Sequence, residues 1–175
     1  MGIDYDIPDN ANLTSSSKRC IPQGIPVSAP SPQIDTRLAQ LRSKLKELKL
    51  DAIIISSPEN RRYLSGFTGT AGFLLISCEQ QTLATDFRYV EQAEQQAPIF
   101  AIERITSKLD WIPKLALKMG VSNIGFEADD LTVAQYNRIR SIFSEIVDRG
   151  TASKLISTTG LVSGLRAIKD AVEQA

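Results

Sequence analysis

Asp51–Ile55 reads DAIII, and four of its five residues in a row are apolar. A strand turns successive residues to opposite faces, so an unbroken apolar run needs cover on both sides. A one-sided antiparallel sheet cannot provide it. A parallel or mixed sheet with helices on each face can.

The flanking sequence supplies that cover. Ile34, Leu38, Leu41, Leu45 and Leu48 recur at steps of four and three, which predicts a helix with one apolar stripe. Its basic residues, Arg37, Arg42, Lys44, Lys46 and Lys49, are expected on solvated faces. After the apolar strand, Ser57 can cap and Pro58 suits the first turn of a short helix reaching Leu64. Gly72–Ser77 and Thr82–Asp86 predict a hairpin. Phe87–Ala97 fits a helix with Tyr89, Val90, Ala93 and Ala97 on its apolar side and Asp86 as N-cap. Pro98–Arg104 predicts a strand, and Asp110–Met119 a helix ended by Gly120. Ser122–Glu127 predicts a strand. Thr132 and Gln135 form a T-x-x-Q capping box for a helix with Tyr136, Ile139 and Phe143 inward. Glu145–Arg149 predicts a last short strand, and Leu161, Leu165, Ile168 and Val172 a final helix.

Strands alternate with helices around one hairpin, so the fold class is α/β: a layered sandwich around a mixed, mainly parallel sheet. Residues 1–33 carry Pro8, Pro22, Pro26, Pro30 and Pro32 among Ser, Asn and Asp, with no period, and read as a flexible arm. The expected organisation is an arm over 1–33, an α/β domain over 34–156 and a linker helix over 157–175.

Composition narrows the chemistry. The 175 residues contain 20 Lys plus Arg and 20 Asp plus Glu, so no basic excess favours nucleic acid. No stretch has the length of a membrane span, and the N-terminus lacks the apolar core of a signal peptide. Cys20 and Cys78 make no disulfide framework, and a reduced, cytoplasmic protein is the expectation. There is no histidine. A Ser-His-Asp or Cys-His arrangement and any zinc site with a histidine ligand are therefore impossible within these residues. A carboxylate site for magnesium or manganese stays open, with Asp51, Asp86 and Glu127 near strand ends. The competing reading is that such residues cap loops or face solvent.

The stretch SGFTGTAGFLLI, Ser65 to Ile76, spaces Gly66, Gly69 and Gly72 three apart. A Walker A loop needs a Lys after its last glycine, and a Rossmann turn needs G-x-G-x-x-G between a strand and a helix. Here the order is helix, loop, strand. The glycines therefore read as backbone shaping at a strand entry, not as a phosphate cradle.

NRRYLSGFTGTAGFLLI, TLATDFRYVEQA, NIGFE with LTVAQY, and LVSGLRAIKD follow one another in that order. Together they resemble the N-terminal domain of the creatinase/prolidase/aminopeptidase P family, Xaa-Pro aminopeptidases above all, from about Thr36 onward. The resemblance implies a non-catalytic α/β domain preceding a separate catalytic domain. That second domain would hold a dinuclear metal, commonly manganese, that activates water. No catalytic or metal-binding residue carries over to this chain, and no cofactor is expected in it. The catalytic domain would lie outside these residues. The implied role is to gate access of small Xaa-Pro peptides and to contribute to subunit contacts. The implied partners are the catalytic domain and further copies of the chain in a homo-oligomer, with no nucleic acid and no membrane. The candidate rim residues are Phe67 for apolar contact, Thr70 in the same loop, and Arg88 and Tyr89 for charge and hydrogen bonding. Core packing of Phe67 and Tyr89 and a surface ion pair for Arg88 are the alternatives. A free-standing binding module is the alternative function.

Overall fold

The computed structural model describes residues 32–106, 109–147 and 154–167. These form six helices and six strands in the order α1 (Pro32–Glu47), β1 (Ala52–Ile55), α2 (Pro58–Ser65), β2 (Phe73–Ser77), β3 (Gln81–Thr85), α3 (Val90–Gln96), β4 (Ala101–Arg104), α4 (Trp111–Met119), β5 (Asn123–Glu127), α5 (Val133–Val147), β6 (Lys154–Thr158) and α6 (Leu161–Ala167). The strands make one sheet in the spatial order β4-β3-β2-β1-β5-β6. β2 runs antiparallel to both its neighbours, with Ile53 opposite Ile76 and Leu74 opposite Leu83. The β1–β5, β3–β4 and β5–β6 pairs are parallel.

The unbroken apolar run has its physical reason in this layering. Ile53 and Ile55 enter one core with Leu38, Leu41, Leu45, Leu64, Leu74 and Leu165, beneath α1, α2, α3 and α6. Ala52 and Ile54 enter a second core with Trp111, Ile112, Ala116, Ile124, Ile139 and Phe143, beneath α4 and α5. All four β1 residues are buried. Each isoleucine there stabilises the fold by about 1.5–3 kcal/mol relative to an exposed one.

α1 forms as its stripe predicts, with one change at its end. Leu48 is 52% exposed, and Leu50 is buried in its place. Lys49 takes φ 56°, and Leu50 N–H donates to Leu45 C=O at 2.9 Å. This reversal turns the chain, so the stripe hands over to Leu50 after a left-handed residue instead of continuing. The basic residues of α1 are not all solvated. Arg37 lies 4.1 Å over the Tyr63 ring, and Arg42 donates to Ser77 C=O at 3.1 Å and Gln81 Oε1 at 2.6 Å.

Three further expectations are corrected. The segment around Glu145 is no strand: α5 runs to Val147, because the helical step from Ile139 through Phe143 persists in the sequence. The last strand is β6, which pairs Asn123 with Lys154 through Glu127 with Thr158. Also, α3 starts at Val90, not Phe87, and Asp86 is not its cap. The capping box at Thr132 forms as predicted, with Gln135 Oε1 accepting from Thr132 N–H at 2.9 Å. Most of the arm, with Ile168 and Val172 of the final stripe, lies outside the described residues.

Candidate functional site

The ends of β1, β3, β4, β5 and β6 and the start of β2 lie together at one end of the strands, the edge from which α2 departs after β1. Ser57 caps α2, accepting from Asn60 N–H, and Gly66 closes it at φ 77°. Within this helix the neighbours Asn60 and Arg61 are both buried. They serve different sides of the edge.

On the β5 side the buried carboxylate of Glu127 accepts from Ser56 N–H at 2.7 Å and Ser57 N–H at 2.8 Å. Its other oxygen accepts from the Asn60 amide. Free N–H groups at a strand-to-helix turn are the usual seat of a bound anion in α/β domains. Here the chain's own carboxylate fills that seat.

On the β3 side Arg61, only 2% exposed, donates to Gly72 C=O at 2.6 Å and Gly69 C=O at 2.7 Å. Burial pushes its pKa below the ordinary arginine value, and the charges of Asp130 and Glu59 oppose that shift. No carboxylate touches it among the described hydrogen bonds; loop carbonyls solvate it instead. This is the work of the glycine stretch. A Cβ on Gly69 would lie 2.2 Å from Phe67 Cζ, and one on Gly72 would lie 2.9 Å from Ala84 C=O. The loop folds back over Phe67 so closely that its carbonyls reach the guanidinium.

All four rim candidates come together, with Phe67 taking the core-packing alternative and Arg88 the ion-pair alternative. Phe67 is fully buried, so it cannot offer its ring to a partner. It serves as the floor: the half-buried Tyr89 stands edge-on to it, with centroids 6.2 Å apart. The Tyr89 hydroxyl and Thr70 Oγ1 are 2.8 Å apart. Arg88 extends over the Tyr89 ring at 5.4 Å and grips Asp86, with Nη2–Oδ2 at 2.7 Å and Nε–Oδ1 at 3.1 Å. Arg88 N–H also donates to Asp86 Oδ1, so Asp86 shapes the turn before α3. The Arg88 hydrogen bond holds the Asp86 carboxyl below its ordinary pKa, and Asp86 in turn raises that of Arg88.

Two residues at this rim were missed in the sequence. Phe87 is 68% exposed, and Arg104 lies 6.0 Å from its ring. Both line a largely apolar groove of about 640 Å³ that also includes Gly72, Phe73, Ile105 and Leu109. The sequence pattern puts the aromatic of TDFRY in a helix, but α3 begins only at Val90. Phe87 is a turn residue with no core to enter.

The carboxylates raised as metal ligands are committed elsewhere. Asp51 sits at the opposite edge, accepting from Ser122 and Asn123 N–H. Asp86 holds Arg88, and Glu127 holds the α2 turn. No group of three or more His, Cys, Asp or Glu among the described residues is placed to hold a metal ion. A dinuclear centre does not fit this set. No described helix is long and apolar enough to cross a membrane.

The layered mixed sheet, with its glycine loop clamped at one end of the strands, defines a mixed α/β domain. The chain belongs to the creatinase/prolidase N-terminal domain family, whose model matches residues 37–168. Among curated relatives it is 33% identical over 138 residues to the uncharacterized peptidase YqhT of Bacillus subtilis, covering 78% of this chain and 37% of that protein. The chain spans well under half the length of such relatives. Among solved structures, the Xaa-Pro dipeptidase of Bacillus anthracis superposes with TM-score 0.71 at 35% identity, covering 79% of this chain and 37% of that one. The N-terminal domain of the cytoplasmic peptidase PepQ from Mycobacterium tuberculosis superposes with TM-score 0.68 at 32% identity, covering 75% of this chain and 98% of that one.

Proposed function

We propose that this chain is the non-catalytic N-terminal part of an Xaa-Pro metallopeptidase and that its glycine-loop edge borders the path by which short Xaa-Pro peptides reach a catalytic domain. In this reading the edge also contributes to contacts between subunits of a homo-oligomer in the cytoplasm. The dinuclear metal, commonly manganese, belongs to the catalytic domain.

The observation that carries the reading is the built rim. Thr70, Tyr89 and Arg88 stand on a buried Phe67, beside an apolar groove that leaves Phe87 in solvent. An exposed aromatic beside a cation suits peptide or subunit contact, where Tyr, Phe and Arg supply much of the binding energy. Fixed side chains of this kind screen what passes without taking part in chemistry.

Two measurements test it. The purified chain, given Xaa-Pro dipeptides and tripeptides with manganese, should show no turnover; hydrolysis that disappears on chelation overturns the non-catalytic assignment. In the peptidase that carries this domain, Arg88→Ala should raise KM for a tripeptide by about tenfold with kcat held, as expected when uniform binding is lost. An unchanged KM removes Arg88 from the peptide path.

A further inference from the structure

α6 is intrinsically a weak helix. It has seven residues, Leu161–Ala167, where an isolated helix needs about 12–15. Gly164 lies in its middle, where glycine costs about 1 kcal/mol against alanine. Nothing in the packing demands glycine there, since an added Cβ would meet no atom within 4 Å. The helix therefore keeps its place by what it docks against.

One part of that docking is apolar and non-directional: Val162 and Leu165 are buried against the core under α1 and α2. The other part is polar and directional. Arg166 Nη1 donates to Asn60 Oδ1 at 3.0 Å. The same Asn60 spends its amide donor on Glu127, which the Ser56 and Ser57 N–H groups hold in place. This fixes which way the amide points. A flipped Asn60 would set its oxygen against a carboxylate and its NH₂ against a guanidinium. At the other end of the helix, Gly160 N–H donates to Asp129 Oδ2 at 3.2 Å.

We propose that Arg166–Asn60–Glu127 is a conformational latch, so that the end of α6 at Arg166 and Ala167 has a latched and a released arrangement. Glu127 orients Asn60, Asn60 presents one acceptor, and Arg166 closes on it. With the contact made, Arg166 is held against α2. With it broken, the turn at Arg166 and Ala167 swings away, while Val162 and Leu165 in the core, the Tyr63 hydroxyl donating to Leu165 C=O at 3.4 Å and the Gly160–Asp129 contact keep the rest of the helix docked. The latch stands on these contacts alone and is independent of the peptidase reading.

Native-state amide exchange on the full chain tests this. Arg166→Met removes the exposed end of the latch and keeps much of the side-chain volume. The amides of Arg166 and Ala167 should then exchange about tenfold faster, the scale of one lost hydrogen bond to a charged group. Those of Ile53–Ile55 and Ile124–Phe126 should not change. Gly164→Ala should slow the same amides and recover much of the loss in the Arg166→Met background. Asn60→Ala should act like Arg166→Met, and the two together should do little more than either alone. Unchanged exchange in Arg166→Met would mean that apolar packing alone holds α6 and would overturn the latch. So would an equal acceleration in the sheet, which marks general loosening.

Discussion

Asn60 and Arg61 are adjacent on one helix, yet they organise two unlike halves of the same sheet edge. On the β5–β6 half a buried anion gathers backbone N–H groups and, through Asn60, the last helix. On the β3–β4 half a buried cation gathers backbone C=O groups and pulls a loop tight over Phe67. The first half ends in closure and the second in an open groove beside an exposed aromatic. One device, a buried charge satisfied by backbone dipoles, thus serves both anchoring and display. What differs is the residue above it: Arg166 covers one half, whereas Phe87 on the other stays 68% exposed beside Arg104.

The hardest blow to the open half is Phe67→Ala. It removes the floor under Tyr89 and leaves a cavity in a fully buried site, so urea denaturation should show a loss of about 4 kcal/mol. A loss below about 1 kcal/mol would mean that Arg61, not Phe67, carries the loop. Next comes a direct contest between the two buried charges. Glu127→Ala strands three buried donors and should cost about 3 kcal/mol, whereas Arg61→Met refills its volume and should cost about 2 kcal/mol. The reverse order would show that carbonyls suffer more than N–H groups from losing their partner here.

That contest also marks what the sequence makes legible. The α1 stripe, the β1 run, the hairpin and the Thr132 box are local patterns, and each forms where its spacing says except that Leu48 leaves the α1 stripe. β6 escapes because an edge strand of five residues, Lys154–Thr158, offers only Leu155 and Ile156 as an apolar signal, while Glu145–Val147 mimics a strand at the end of a longer helix. The charged centres are illegible for another reason. Ser56 and Glu127 are 71 residues apart, and Asn60 and Arg166 are 106 apart, so no local spacing can announce them. Arg61 lies only eight residues from Gly69, and its clue was local: closely spaced glycines leave carbonyls bare, and bare carbonyls need a donor. For the rim, TDFRY drew attention to the right turn but not to Phe87. An aromatic's exposure depends on where a helix begins, and helix starts are the least certain part of a pattern.

Smaller effects sharpen the display side. Phe87→Ser should leave stability within about 0.5 kcal/mol, as surface changes usually do. It should also lower binding of an apolar dye to the full chain, and a large destabilisation would instead place Phe87 in the core. The smallest effect is electrostatic. With Arg88 holding the Asp86 carboxyl below its ordinary pKa, the pair is intact at neutral pH and is lost as pH falls through that depressed value. Side-chain NMR titration should find Asp86 protonating at lower pH than its counterpart in Arg88→Ala. Equal titration in both proteins would reduce the pair to a chance surface contact.

Glu127 carries one further consequence, best stated as competition. A carboxylate tethered to β5 and aimed at the turn into α2 behaves as a covalently attached ligand, and attachment over so short a reach gives it an effective concentration in the millimolar range or above. A free phosphate or nucleotide arriving at that turn would have to outbid a rival that never diffuses away. The start of α2, a position where many α/β domains seat a bound anion, is thereby taken up by the chain's own carboxylate.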